Sequence, residues 1–453
     1  MATTVPLDAQ PPRGWVPGYA LFLLFMSNVL NYADRALLGI VVDPVKADLR
    51  LTDTQMSIVS GTAFVIFNLL VGLFIARWVD RGNRKLILLL GVAIWSAATA
   101  LTAWAEGFAS LAATRVLVGV GEATAFPVAI SMIADLFTPA RRPRSVGIYQ
   151  SSVFVGVVLG SILAGVLAAA YGWRAMFVIC GLSGFVVVVL ILLTMREPAR
   201  GLHDTAQSAQ LPETNLSARL AHLFGIPGFG FMALGLGIGA IPGGVLPAWA
   251  PTFLLRSHGV ALANVGALIG PTVGLGGVTG TIAAGMLASH LARKRGGEIH
   301  GLLVPVIAMP MAMPFYAIFC FSPSLTVTMI AATIMNFLLA SAAGTCIAAA
   351  VGVSPPSMRA LSSTIMLAAG GVIGGALGPL IVGAASDALL PRLGAESLRY
   401  ALSGLIVTPL LAAGVLWLSY RQAKASSGSA VSFASRGSDG VSEPLPLERE
   451  VPR

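Results

Sequence analysis

Apolar runs long enough to cross a lipid bilayer recur almost without interruption along this chain of 453 residues. A membrane-spanning helix needs about 20 predominantly apolar residues. We count about twelve runs of this kind. Their apolar residues are continuous rather than alternating, which is typical of membrane helices and excludes a β-barrel. The sequence therefore predicts an all-α integral membrane protein.

Composition agrees with this class of protein and excludes others. Hydrophobic residues make up 56% of the chain and charged residues 10%, whereas soluble domains contain about 25% charged residues. The formal net charge is +9, but the basic residues follow the connections between spans and form no aromatic-studded patch, so we expect no nucleic-acid partner. Cys180, Cys320 and Cys346 lie inside predicted helices without metal-ligand spacing, and we expect no disulfide, metal site or cofactor.

The predicted spans form two groups of six around a polar segment. Their approximate boundaries are 17–42, 55–76, 86–105, 108–134, 145–169 and 173–195, then 226–254, 262–289, 301–321, 324–352, 359–385 and 398–419. The regions are an N-terminus (1–16), an N-terminal six-helix domain (17–195), a linker (196–225), a C-terminal six-helix domain (226–419) and a disordered tail (420–453). The first run is too long for the core of a signal peptide, so we expect it to be retained as a helix.

Lysine and arginine are concentrated in every second connection between the spans. One set of connections contains dense clusters, such as those within 77–85, 141–144 and 293–295, whereas the other set contains only scattered basic residues. Basic residues next to membrane spans favour the cytoplasmic side. We therefore expect both termini and the linker to be cytoplasmic, in the inner membrane of a bacterium.

Two pairs of similar segments stand six spans apart. ARWVDRGNRK (76–85) follows span 2 and GMLASHLARK (285–294) follows span 8, while GVVLGSILAG (156–165) in span 5 matches GGALGPLIVG (374–383) in span 11. Transporter folds are commonly built from related halves. The matches predict a duplicated six-helix unit with pseudo-symmetry, and their glycine rows predict close packing between helices.

The short motifs of the first half resemble those of a known transporter class. DRGNRK (80–85) resembles the signature between helices 2 and 3 of the major facilitator superfamily, LAATRVLVGVGEA (111–123) resembles its helix 4 motif, and GWRAMF (172–177) resembles its usual opening of helix 6. The resemblance implies a major facilitator fold of twelve transmembrane helices in two pseudo-symmetric six-helix domains, which work by alternating access around a central site.

Within that superfamily, the order and spacing of several motifs resemble the spinster family. They are NYADR (31–35), DRGNRK (80–85), TRVLVGVGEAT (114–124), IADLF (133–137) and REPARG (196–201). The resemblance is weaker in the second half, where Ser289 stands in place of the usual acid. It implies a monomeric secondary transporter of lipid-like amphiphiles, such as lysophospholipids or sphingoid phosphates, that is coupled to protons and surrounded by membrane lipids.

Four charged residues lie deep within predicted spans. Arg115 and Glu122 are seven residues apart in span 4 and therefore project from nearly the same face of a helix, while Asp34 and Arg35 are adjacent in span 1. A charge at the centre of a bilayer costs roughly 2.5 to 3.5 kcal/mol on insertion scales. These faces must meet protein or water. The four charged residues form either a static network between spans 1 and 4 or a functional site.

The functional interpretation gives each charged residue a role. Desolvation disfavours the ionised form of Glu122 and Arg115 favours it, so Glu122 is the first candidate for a proton carrier, with Asp34 as its rival. Arg35 and Arg115 are candidates to hold an anionic headgroup, because guanidinium groups match phosphate and carboxylate oxygens. Asn31 and Tyr32 are the polar residues that we expect to line the substrate cavity beside these charges, and the uncharged second half would then hold the hydrocarbon part of the substrate.

The loop after span 2 is predicted to act as a conformational latch. Basic residues there anchor the chain at the cytoplasmic face, but anchoring does not explain Asp80. Asp80 can cap the N-terminus of span 11 or pair with Arg141 or Arg144. The family resemblance supports a latch that closes the cytoplasmic side and that is built from the acid and four basic residues: Asp80, Arg81, Arg84, Arg141 and Arg144.

Two other functions stay open at this point. The first is a proton-coupled carrier of small organic anions or drugs. The second is a non-transporting membrane receptor or an intramembrane enzyme, but no paired acids at catalytic spacing and no phosphate-binding loop are found in the sequence. We therefore predict that the protein is not an enzyme.

Overall fold

The computed structural model describes residues 17–138, 141–200 and 215–438. The predicted N-terminus (1–16), residues 139–140, residues 201–214 of the predicted linker and the end of the tail (439–453) lie outside the described residues. The side chain of Asp80 also lies outside the described residues.

The N-terminal half is a series of six membrane-spanning segments. They are α1 (Pro17–Ile40), α2 (Asp53–Ser57, Ile58–Thr62 and Ala63–Arg81), α3 (Arg84–Trp104), α4 (Phe108–Leu136), α5 (142–171) and α6 (173–194). A short helix, Val42–Leu49, connects α1 to α2. The helices α5 and α6 are continuous except at Gly172, whose φ of 80° is outside the helical range and favours glycine.

The C-terminal half repeats this arrangement. Its segments are α7 (Phe229–His258), α8 (Leu262–Arg295), α9 (Glu298–Phe321), α10 (Leu325–Val353), α11 (Arg359–Ala369, Gly370–Leu377 and Gly378–Leu393) and α12 (Ser397–Ser403 and Thr408–Ser438). The helix of α12 extends to Ser438, beyond the boundary predicted at residue 420. Within the predicted linker, Leu216–Gly225 is helical.

The described helices are consistent with the twelve predicted spans. Nine stretches within the described ranges have the length and hydropathy of a membrane-crossing helix. Two of these, Arg144–Thr194 and Pro356–Ala425, each contain two segments, and α1 supplies a further segment of 24 residues. The all-α prediction is confirmed.

The glycine rows pack helices closely, as the sequence predicts. A Cβ atom added to Gly160 of α5 would lie 2.5 Å from backbone atoms of Ala33 on α1. In the second half, Gly374 of α11, which aligns with Gly156 of α5, approaches Ala240 at the middle of α7, also at 2.5 Å. The same pair of elements is therefore in close contact in each half, which agrees with the predicted pseudo-symmetry.

Two short π-helical stretches face each other where the halves meet. Ile58–Thr62 lies in α2 and Gly370–Leu377 lies in α11. The hydroxyl of Thr62 donates a hydrogen bond of 2.9 Å to the carbonyl of Ala376, and a Cβ atom on Gly61 would lie 2.9 Å from the carbonyl oxygen of Gly375. Such π-helical turns occur frequently at functional sites, and these two lie beside the central cavity.

Candidate functional site in the central cavity

A cavity of about 310 Å³ lies between the two halves of the protein. The N-terminal half contributes residues of α1, α2, α4 and α5, and the C-terminal half contributes residues of α7, α8 and α11. Of the residues predicted for the site, Tyr32, Arg35, Arg115 and Glu122 line this cavity. These four predicted residues therefore lie together at one cavity, and their roles there stay a prediction.

Arg35 and Glu122 form an ion pair at the wall of this cavity. The Nε atom of Arg35 donates a hydrogen bond of 2.7 Å to Oε2 of Glu122. The Glu122 side chain is fully buried, whereas the Arg35 side chain is 34% exposed. The guanidinium carbon of Arg35 also lies 4.6 Å from the ring centre of Tyr32 and 4.9 Å from that of Phe64. Arg35 is thus held between aromatic rings and still faces the cavity.

The position of Glu122 follows from a break in α4. Phe108–Glu122 and Ala125–Leu136 are separate helical stretches joined by a turn. Pro127 has no backbone N–H to donate to the carbonyl four residues earlier, which explains an interruption at this point. Gly121 allows α4 to approach α3, since a Cβ atom there would lie 2.7 Å from the backbone nitrogen of Trp95. Glu122 is therefore the last residue of a helix that is tightly packed against its neighbour.

Arg115 lines the same cavity but has a different partner from the one expected. Its Nη2 atom donates a hydrogen bond of 3.1 Å to the hydroxyl of Thr102, and its guanidinium carbon lies 5.4 Å from the ring centre of Phe177. Its buried Nε atom has no hydrogen-bond partner among the described residues. The basic residue that directly pairs with Glu122 is Arg35. The sequence pattern predicts Arg115 in this place.

Asp34 and Asn31 are not among the residues that line the central cavity. Asp34 lies on the other side of α1, where its Oδ2 atom accepts a hydrogen bond of 2.7 Å from Thr99. It lines a second, smaller cavity. Asn31 is 1% exposed, and its Oδ1 atom has no hydrogen-bond partner within the described chain. Adjacent residues on a helix point about 100° apart, which explains why Arg35 reaches the central cavity and Asp34 does not.

The C-terminal wall of the cavity is apolar. Pro247 and Ala248 of α7, Ile269 and Val273 of α8, and Pro379 of α11 line it. None of these side chains carries a charge or a hydrogen-bonding group. The cavity therefore has a charged wall opposite an apolar wall, which is the arrangement expected from the uncharged second half.

The predicted latch residue Arg84 binds within the N-terminal half instead. Arg84 is 1% exposed and forms ion pairs with Asp135 of α4 and, at 2.7 Å, with Glu197 after α6. It also donates a hydrogen bond of 2.8 Å to the carbonyl of Pro198. These partners belong to the motifs IADLF and REPARG, so Arg84 connects three parts of one half.

The other basic residues of the predicted latch are on the surface. Arg81, Arg141 and Arg144 are exposed. Their participation in a latch stays a prediction, since the side chain of Asp80 lies outside the described part of the chain. The position of Arg84 shows that at least one residue of this motif stabilises a single half.

A polar network joins the two halves at the face opposite the linker. Arg256 at the end of α7 binds Asp43 at 2.6 Å and Asp53 at 3.0 Å. Asp387 of α11 accepts hydrogen bonds from the backbone nitrogens of Asp53, at 3.0 Å, and Thr54, at 2.8 Å. A carboxylate at a helix N-terminus is favourable, because the first backbone N–H groups of the helix point at it. The halves are thus closed against each other at this face.

Sequence reasoning missed this network. Its charged residues lie at the ends of predicted spans, and a count of lysine and arginine in the connections leaves its acids out. Asp43 and Asp53 flank the first connection and Arg256 follows the predicted seventh span, so the cluster of acids in the first connection is the signal that the sequence offers. The pairing itself depends on the contact between halves, which no local pattern contains.

Comparison with protein families and solved structures agrees with a transporter fold of two six-helix halves. Residues 24–379 match the family profile described as the Major Facilitator Superfamily. An MFS-type efflux pump of Mycolicibacterium smegmatis is 28% identical over 90% of this chain and 93% of its own length. Protein spinster homolog 1 of Xenopus tropicalis is 33% identical, but the match spans only 53% of this chain and 46% of the relative.

The solved structures show the same likeness over almost the whole chain. A bacterial homolog of the human lysosomal transporter Spinster, in an inward-facing and unoccupied conformation, superposes with a TM-score of 0.82. It is 27% identical, and the match covers 91% of this chain and 98% of that one. A D-xylose-proton symporter shares the fold, with a TM-score of 0.67 at 16% identity. The chain belongs to the major facilitator superfamily and is a spinster-like membrane transporter rather than an enzyme.

Proposed function

We propose that the protein carries an anionic, lipid-like amphiphile such as a lysophospholipid or a sphingoid phosphate across the membrane, in exchange for or together with protons. The observation that carries this proposal is the two-sided cavity. Arg35 and Arg115 face it from one half, and an apolar wall that includes Ile269 and Val273 faces it from the other. An amphiphile satisfies both walls at once, because its headgroup pairs with guanidinium groups and its chain covers the apolar surface.

Proton coupling follows from the ion pair between Arg35 and Glu122. Protonation of Glu122 removes the negative charge that holds Arg35, and it frees the guanidinium group for a phosphate or carboxylate of the substrate. Conversely, an anion bound to Arg35 leaves Glu122 buried without its partner, which favours uptake of a proton because an unpaired buried charge is costly. Proton and anionic headgroup therefore act on the same arginine.

Alternating access requires the contacts between the halves to open and close. Arg256 and Asp53 close the face opposite the linker, which we assign to the outside of a bacterial inner membrane with both termini in the cytoplasm. In this assignment the structure corresponds to a state closed to the outside. Rocking of one half against the other breaks this network and exposes the cavity to the outside. The central cavity is formed within one chain, so a monomer is sufficient for this cycle.

A proteoliposome flux assay tests the proposed function. The purified protein is reconstituted and given a panel of lysophospholipids, sphingoid phosphates and small dicarboxylates, with and without an imposed pH gradient. We expect uphill movement of an amphiphile that depends on the gradient and weakens as its acyl chain is shortened. Movement of the dicarboxylates alone, or amphiphile transport that ignores both the gradient and the chain length, would reject the proposal.

The second candidate function is a proton-coupled carrier of small organic anions. The volume of the central cavity, about 310 Å³, lies at the lower end of the range for small-molecule sites, and this observation favours a compact ligand. A probable galactarate/D-glucarate transporter of Bacillus subtilis is 33% identical over 46% of this chain. The dicarboxylates of the same assay distinguish this candidate from the amphiphile.

A further inference from the structure

The end of α8 on the side of the linker repeats a basic motif of the first half without the acids that neutralise it there. In the two repeated segments, Arg293 of α8 takes the position of Arg84. Arg84 is buried and forms ion pairs with Asp135 of α4 and Glu197 after α6. The corresponding helix of the second half, α10, contains no acid, and neither does α12 as far as Ser438. The protein partners of this motif are therefore missing from the second half.

Exposed basic side chains gather at the linker-side ends of α8 and α12. In the described part of the chain, none of them lies within ion-pair distance of an acid. Glu298 is the one acid in the connection between α8 and α9, and it is also exposed. The basic residues are Arg293, Lys294 and Arg295 of α8 and Arg421 and Lys424 of α12. This surface therefore carries an excess of positive charge.

The connection between α8 and α9 brings these two helix ends together. Nδ1 of His300 lies 3.1 Å from the hydroxyl oxygen of Tyr420 on α12, at hydrogen-bond distance. The positive charges of Arg295 and Lys424 both lie within electrostatic range of the His300 ring. Side chains of like charge repel each other when they are held close together. An anion bound between Arg295 and Lys424 removes this repulsion.

The basic residues continue an apolar surface that faces the lipid. Trp417 of α12 is 43% exposed, and its ring stacks on that of Tyr420 with centres 5.5 Å apart. Arg421 and Lys424 follow Trp417 by one and two turns on the same face of the helix. On α8, Met286 is 64% exposed about two turns before the basic residues. Tryptophan and tyrosine are enriched where hydrocarbon meets lipid headgroups, so the basic residues lie at the level of the phosphates.

We propose that the linker-side ends of α8 and α12 bind the phosphate headgroup of an anionic phospholipid, such as phosphatidylglycerol, from the adjoining leaflet. Arg295 and Lys424 pair with the phosphate, and the acyl chains cover the apolar surface that includes Trp417. Clusters of basic residues next to membrane helices attract anionic headgroups, and a free phosphate ion gains nothing from the apolar surface. The lipid thus neutralises the second half as Asp135 and Glu197 neutralise the first. This site is independent of the proposed function.

Thermal unfolding of the purified full-length protein in detergent tests the site. Phosphatidylglycerol or phosphatidylcholine with the same acyl chains is added to the micelles in rising mole fraction at constant ionic strength. We expect a saturable rise of the unfolding temperature with phosphatidylglycerol and none with phosphatidylcholine, because a ligand that binds only the folded state stabilises it. Inorganic phosphate at the same concentration should leave the unfolding temperature unchanged.

Variants at the site make the test specific. Arg295→Gln and Lys424→Gln should each raise the mole fraction of phosphatidylglycerol for half-maximal stabilisation by about fivefold, and together by at least about tenfold. Both residues are exposed, so their replacement should not prevent folding. Arg392→Gln removes the same charge from an exposed position at the opposite face of the same half, and its response should match that of the unchanged protein.

Three results would overturn the proposal. The first is equal stabilisation by the two phospholipids. The second is a rise that inorganic phosphate reproduces without lipid, which would indicate a site for a free anion. The third is a response to phosphatidylglycerol that persists when Arg295→Gln and Lys424→Gln are combined, which would place the lipid elsewhere, such as in the central cavity.

Discussion

Arg256 of the C-terminal half forms a two-pronged ion pair with Asp53 of the N-terminal half. Its Nη1 and Nη2 atoms each lie 3.0 Å from one carboxylate oxygen of Asp53. The Asp53 side chain is 2% exposed and that of Arg256 is 17% exposed. Lys46 and Ser386 also donate to Asp53, at 2.5 and 2.7 Å. The carboxylate is therefore satisfied only when the two halves are closed at this face.

Replacing Arg256 should open this face. In Arg256→Gln the buried Asp53 loses its main partner, and breaking a buried ion pair from one side costs about 3 to 5 kcal/mol. Since about 1.4 kcal/mol is a factor of ten in an equilibrium constant, we expect the ratio of closed to open protein to fall by at least about tenfold. A single reporter cysteine at Val382, a fully buried position of α11, should then react faster with a membrane-impermeant maleimide.

The matched control for this change is Arg399→Gln. Arg399 pairs with Glu396 at 2.8 Å within the C-terminal half, so its loss leaves the contact between halves intact. Labelling of the reporter should stay at the level of the unchanged protein. Equal labelling rates in Arg256→Gln and Arg399→Gln would contradict a gating role for Arg256.

Removing the charge of Glu122 should uncouple transport from protons. Glu122 contacts Arg35 at 2.7 Å. In Glu122→Gln the amide cannot bind or release a proton, and it carries no negative charge to neutralise Arg35. We expect accumulation driven by a pH gradient to be lost while exchange of substrate down its own gradient continues. The measurement is flux in proteoliposomes under both conditions, with Glu106→Gln as the control at an exposed acid. Retained gradient-driven accumulation would exclude Glu122 as the proton carrier.

Filling the apolar wall should select against long acyl chains. Val273→Phe adds an aromatic ring to the part of α8 that lines the central cavity. If the ring displaces two methylene groups of the substrate, the loss is about 1.6 kcal/mol, or roughly tenfold in affinity. We expect this loss for long-chain lysolipids and little change for short-chain ones, measured by binding titration.

The control for this variant lies on the same helix. Leu287→Phe places the same ring on the outer surface of α8, where the residue is 50% exposed. Its affinities should match those of the unchanged protein. A uniform loss over all chain lengths in Val273→Phe would indicate damage to the site as a whole rather than an acyl-chain pocket.

Arg84 should stabilise the N-terminal half rather than control its conformation. Arg84→Ala leaves the carboxylates of Asp135 and Glu197 without this partner, and we expect the free energy of unfolding to fall by about 3 to 5 kcal/mol. Thermal unfolding in detergent measures the change, and Arg144→Ala, at an exposed arginine of the predicted latch, should have little effect. Unchanged stability with altered labelling of the Val382 reporter would instead favour a latch role for Arg84.

Much of the fold follows from local patterns in the sequence. Apolar length predicts the spans because each needs about 20 residues to cross the bilayer, and the row containing Gly160 predicts a close helix contact because small residues let backbones approach. The charges within α1 and α4 also point to a polar interior surface, since their burial requires protein or water around them, and three of the four line the central cavity. These inferences hold because each depends on one segment and its surroundings.

The partners of the charges could not be obtained in this way. Sequence spacing placed Arg115 and Glu122 on one face, but Glu122 binds Arg35 of another helix, at 2.7 Å. Which of two arginines reaches a carboxylate depends on the rotation of α1 relative to α4. That rotation is determined by contacts such as the one between Gly160 and Ala33, which join residues distant in the sequence.

The amino-acid sequence thus determines an all-α membrane transporter in two related halves with four charges inside the first. The tertiary structure decides how these charges are divided. It places Arg35 and Glu122 at the central cavity and Asp34 at a separate one, and it joins Arg256 to Asp53 across the halves. The physical reason is that hydropathy and helical period act along one segment, whereas a salt bridge between helices depends on their relative rotation and approach.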